Sequence, residues 1–73
     1  MALITKLEQV NKERTSVHKQ TDCTYTIFTE NGIKYLQLDT FGSEDRQTPG
    51  KISQSIQFGP ESISQLKEIL KSL

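Results

Sequence analysis

Tryptophan is absent from this 73-residue chain, and cysteine, histidine and methionine each occur once. A lone Cys23 excludes a disulfide within the chain. One histidine and one cysteine leave no ligand set for a zinc site of the usual His and Cys kind. The chain lacks GxGxxG, GxxxxGK[ST] and GxSxG, the short patterns that cradle phosphates or raise a nucleophile. No nucleophile–base pair can be assembled from what remains, so the expectation is a non-enzyme without a cofactor. A catalytic thiol at Cys23 would need a positive neighbour such as His18. Its place in an apolar alternation fits a small buried hydrophobe instead. No run approaches the roughly 20 apolar residues that span a membrane. One unpaired cysteine and no signal-peptide pattern favour a reducing, cytoplasmic or nuclear setting. Charge of one sign is lacking too. Nine Lys and Arg balance nine Asp and Glu, whereas domains that grip nucleic acid electrostatically are usually basic.

The clearest positive signal is Cys23 to Phe41, two alternating runs joined by Asn31-Gly32. Asn-Gly suits a type I′ turn because both central residues must take positive φ. A two-residue loop sets Glu30 opposite Ile33, Phe28 opposite Tyr35, Ile27 opposite Leu36 and Tyr25 opposite Leu38. One face then carries Cys23, Tyr25, Ile27, Leu36 and Leu38 and reads as core. The other carries Thr24, Thr26, Phe28, Tyr35, Gln37, Asp39 and Phe41, polar with aromatics interleaved. A slip of one residue would exchange the faces.

Around the hairpin the chain divides simply. Residues 2–10 fit a helix at Leu3, Leu7 and Val10 or a strand at Leu3, Thr5 and Leu7. A strand is preferred, because a two-stranded hairpin needs further strands. Residues 11–22 are polar with only Val17 as an aliphatic, and read as a loop. Residues 42–50 hold turn formers and charge, closing on Pro49-Gly50. Residues 51–58 alternate, with Ile52, Ile56 and Phe58 on one side and Ser53, Ser55 and Gln57 on the other. Gly59, Pro60 and Glu61 open a helix. Ile63, Leu66, Ile69, Leu70 and Leu73 form its apolar stripe, which calls for its own sheet or the same helix of a second subunit. The expectation is one small domain over residues 1–73, of α+β class, with a four-stranded antiparallel sheet and one C-terminal helix.

Phe28, Tyr35 and Phe41 are the candidate stacking platforms. Lys34, Arg46, Lys51 and Arg14, with its basic neighbours Lys6, Lys12 and Lys19, would supply charge around them. Base stacking on aromatics contributes roughly 1–3 kcal/mol each and tolerates any sequence. The same aromatics also suit a second hydrophobic layer or a protein interface. Asp39 shares their face and would repel phosphate unless neutralised.

From Tyr35 to Leu70 the chain resembles the core of the transcriptional coactivator positive cofactor four and its small bacterial and viral relatives. The parallels are an aromatic at Phe41 ending a strand, a charged loop, Pro49-Gly50-Lys51, and a strand running into a helix at Pro60-Glu61 that continues Ser64-Gln65-Leu66-Lys67-Glu68. The resemblance covers about half of the chain. It implies a homodimer paired through the C-terminal helix that binds single-stranded DNA across the sheet, with Phe41 and Lys51 the best-matched contact positions. Asp39 stands roughly where the family carries a basic residue, and Gly42 where it carries an aromatic. The strand after Lys51 is about two residues longer. A competing expectation is a small protein-interaction or regulatory module without nucleic acid.

Overall fold

The computed structural model describes residues 1–42 and 51–73. In chain order they form β1 (Ala2–Ile4), β2 (Cys23–Glu30), β3 (Ile33–Thr40), β4 (Gln54–Phe58) and α1 (Pro60–Lys71). The four strands make one sheet in the order β1-β4-β3-β2. The fold is therefore α+β, as the sequence indicates, with a sheet that is mixed rather than wholly antiparallel. β2, β3 and β4 pair antiparallel, but β1 runs parallel to β4, with Ala2 beside Ile56 and Ile4 beside Phe58. A parallel neighbour needs a long crossover. Here the connection from β1 to β4 takes in β2 and β3, and its first part, residues 5–22, which hold no helix or strand, is the crossover that carries the chain from one edge of the sheet to the other.

The β2–β3 hairpin follows from its turn. Asn31 has φ 53° and Gly32 φ 77°, the pair of positive values that type I′ requires and that matches the twist of the strands. The register runs unbroken from Cys23 opposite Thr40 to Glu30 opposite Ile33, and every cross-strand pair expected from a two-residue loop is present.

β1 and β4 are both shorter than the alternating pattern. β1 stops at Ile4 because its partner β4 ends at Phe58 and the chain turns into the helix. β4 begins at Gln54, opposite Thr40, the last residue of β3. Phe41 and Gly42, the latter at φ 69°, lie past the end of β3.

Gly59 caps α1 with extended backbone, and Pro60 takes the first turn, where its missing N–H costs no helical hydrogen bond. Ser62 does the linking. Its hydroxyl accepts the Gly59 N–H at 3.0 Å and donates to the Ile4 carbonyl at 2.7 Å. It is wholly buried. One side chain thus closes the helix start and ties it to β1. A turn later Gln65 grips the crossover: its Oε1 accepts the Leu7 N–H at 2.8 Å and its Nε2 donates to the Leu7 carbonyl at 3.3 Å.

Burial departs from the face assignment. α1 packs along β3 and β4, leaving β2 at the far edge. Tyr25 is 71% and Ile27 60% exposed, and Cys23 is exposed as well. The apolar side of β2 is therefore not core. Among the described residues the one buried apolar side chain is Phe58, at the β4–α1 junction, accompanied by three buried polar residues, Asp39, Ser55 and Ser62. No described helix is long and apolar enough to cross a membrane.

Ser62→Ala leaves the Gly59 N–H and the Ile4 carbonyl without their hydroxyl partner in a buried site. An unsatisfied buried polar group costs about 1–3 kcal/mol. Urea unfolding of the variant is expected to show a loss of that size.

Candidate nucleic-acid interface

The polar face is built by strand parity. Phe28 stands opposite Tyr35, Thr26 opposite Gln37, and Thr24 opposite Asp39. β4 extends the rows with Gln57 beside Gln37 and Ser55 beside Asp39. The Phe28 and Tyr35 rings stack at a centroid separation of 5.3 Å and an angle of 22°, close enough for a favourable aromatic pair. Both side chains are half-buried. Gly59 lies in the same row on the β4 side. A Cβ there would make ordinary contact with the ring, 3.7 Å from Tyr35 Cε1.

Beside the aromatic pair runs a chain of amides and a carboxylate. Gln57 Nε2 donates to Gln37 Oε1 at 2.8 Å. Gln37 Nε2 donates to both Asp39 oxygens at 3.1 Å. Asp39 is only 6% exposed. The acid that the sequence sets among the candidate contacts is thus drawn below the surface, held by the Gln37 amide. A buried carboxylate needs such donors, because desolvation without hydrogen bonds is costly. Its negative charge stays within the face all the same.

The remaining candidates scatter. Lys34 pairs with Thr29 and by parity belongs to the side of Leu36 and Leu38, away from the Phe28–Tyr35 stack. Phe41 is half-buried just past the end of β3. It lies six residues from Tyr35, a span of about 20 Å at strand rise. Lys51 is exposed near that same end, two residues before Ser53, whose N–H bonds the Thr40 carbonyl at 2.7 Å. Arg14 is exposed in the crossover. Arg46 lies outside the described residues. Lys6, part of the basic first segment, pairs with Glu8 at 2.7 Å. The structure therefore joins Phe28 with Tyr35, sets Phe41 and Lys51 at the other end of the sheet, and turns Lys34 to the opposite side.

Ser62, Gln65 and the Gln57–Gln37 bond had no individual sequence assignment. Ser62 could have been found as the third residue after the helix cap, where a side chain reaches back to the cap N–H. Gln65 carries no comparable signal, because its partner is the backbone of a distant, irregular segment. Among the described residues no three His, Cys, Asp or Glu side chains cluster closely enough to hold a metal ion. No family model, curated protein or solved structure matches this chain.

Gln37→Leu strips the Asp39 carboxylate of its amide donor and Gln57 Nε2 of its acceptor. The expected loss in stability is about 1–3 kcal/mol or more, since one of the stranded groups is charged. Asp39→Leu combined with Gln37→Leu should recover part of that loss in a double-mutant cycle read by chemical denaturation.

Proposed function

We propose that this chain binds single-stranded nucleic acid, DNA in preference, and acts as a homodimer through its C-terminal helix in transcription or DNA maintenance. The stacked Phe28–Tyr35 pair carries the reading: two half-buried rings on a strand-built surface, in the row next to the Gln37–Gln57 pair. Bases stack on such rings whatever their sequence. Phe41 and Lys51, about six residues further along the sheet, lengthen the track a strand would follow. The resemblance to positive cofactor four over the C-terminal half supports the same assignment. For the dimer, the support is the outer side of α1. Ile69 and Leu70 are roughly half-exposed and Leu73 almost wholly so. Ile69 and Leu73, with Leu7 and Val10, line an open groove between helix and crossover.

The balanced charge predicts modest electrostatics. Few phosphates are neutralised, so affinity falls only shallowly with salt. A second reading, a protein-interaction module, is favoured by the same balance and by the exposed Tyr25 and Ile27.

Fluorescence anisotropy with oligothymidine at low salt separates the two. Phe28→Ala and Tyr35→Ala are each expected to weaken binding by about 1–3 kcal/mol, with folding checked by circular dichroism. Lys51→Ala should weaken it slightly and flatten the salt dependence. No binding at low salt rejects the nucleic-acid reading. Light scattering reports the dimer, which Leu70→Asp should dissociate.

A further inference from the structure

β2 is an edge strand eight residues long, from Cys23 to Glu30. The two-residue turn makes Glu30 and Ile33 a hydrogen-bonded pair, and pairs alternate from there. Thr24, Thr26, Phe28 and Glu30 therefore spend their N–H and C=O groups on β3. Cys23, Tyr25, Ile27 and Thr29 point theirs outward. The bond from the Ser53 N–H to the Thr40 carbonyl fits this alternation, since it requires Thr40 to face β4. Among the described residues no further backbone hydrogen bond reaches the outer side of β2.

Natural sheets protect such an edge with lysine, proline, a bulge or a covering segment. β2 has no lysine or proline, its register is continuous, and seven of its eight side chains are exposed. Its only charge is Glu30, at the tip. The side chains on the outward-bonding residues, Tyr25 and Ile27 above all, are the apolar ones that α1 leaves open.

We propose that β2 pairs antiparallel with β2 of a second copy of this chain about a two-fold axis at Thr26, joining two sheets into one of eight strands. This contact is separate from the helix contact and uses the edge of β2 rather than the sheet face, Phe28 being the one proposed nucleic-acid contact that borders it. The occupant is argued from self-complementarity. A two-fold normal to the sheet keeps like faces together, so Tyr25 meets Ile27 of the second copy and Cys23 meets Thr29. All of these are outward-bonding residues, and they exchange both backbone hydrogen bonds at every step. On the other face Phe28 meets Thr24. Aromatic beside β-branched is a favourable cross-strand pairing. At each end Asp22 comes opposite Glu30 of the second copy, so association should tighten as salt screens them.

Cross-linking reads the register. In the pairing, residue 29 lies opposite Cys23 with Cα atoms about 5.5 Å apart, within disulfide range. Two Cys23 residues lie about six residues apart, near 20 Å, beyond it. Thr29→Cys is therefore expected to give a disulfide-linked dimer on mild oxidation, in both the parent and the Leu70→Asp helix variant. The wild type and Cys23→Ser/Thr29→Cys should give none. Ile27→Lys, at an exposed position, should raise the dissociation constant of the pairing at least tenfold in sedimentation, with the circular dichroism spectrum kept. Equal cross-linking of all forms, none in Thr29→Cys, or self-association untouched by Ile27→Lys would overturn the proposal. Cross-linking lost only with Leu70→Asp would overturn the independence of the two contacts.

Discussion

The whole arrangement depends on the backbone at Asn31 and Gly32. Two consecutive positive φ values close the hairpin in two residues, and that number decides parity for sixteen residues of β2 and β3. Parity in turn decides that Phe28 stacks on Tyr35, that Gln37 reaches Asp39, and that the outward amides of β2 belong to the residues with apolar side chains. Gly32 is suited to this because it adopts positive φ without a Cβ penalty. Asn31 is one of the few residue types enriched there.

A second constraint is the shortage of covering mass. One twelve-residue helix packs on β3 and β4 and cannot also reach β2. The radius of gyration is 14.5 Å, against about 11 Å for a compact chain of this length. Few apolar side chains are buried, and polar contacts link the distant segments instead: Ser62 to Ile4, Gln65 to Leu7, Gln57 to Gln37 to Asp39. Small domains commonly make up such a deficit by association. The half-exposed end of α1 and the bare edge of β2 are where this chain has surface to give.

Much of the fold was legible because it rests on local rules. Asn-Gly set the register, and Gly59-Pro60-Glu61 placed the helix start. The parallel seat of β1 was not legible. Local pattern records that residues 2–4 are extended but not which edge they join, and the crossover's path depends on the Gln65 contacts. Face identity was half legible. Alternation sorted the side chains correctly, but hydrophobicity alone assigned Tyr25 and Ile27 to a core that the helix does not reach. Asp39 ran the other way. Its place on the polar face was readable, whereas its burial was not: the Gln37 amide that holds it is on its own strand, and that amide is set in turn by Gln57 from across the sheet. Of the candidate contacts, Phe28 and Tyr35 converge because the turn pairs them. Lys34, one residue away, is turned aside by the same alternation.

Fold and candidate site both stand on register, and nuclear Overhauser contacts between backbone α-protons report it most directly. In an antiparallel ladder these protons approach closely only at the non-hydrogen-bonded pairs. Strong contacts are expected between Tyr25 and Leu38, Ile27 and Leu36, and Thr29 and Lys34, with the Phe28 and Tyr35 ring protons in contact. Strong α-proton contacts displaced by one residue, such as Phe28 with Leu36, would contradict that register.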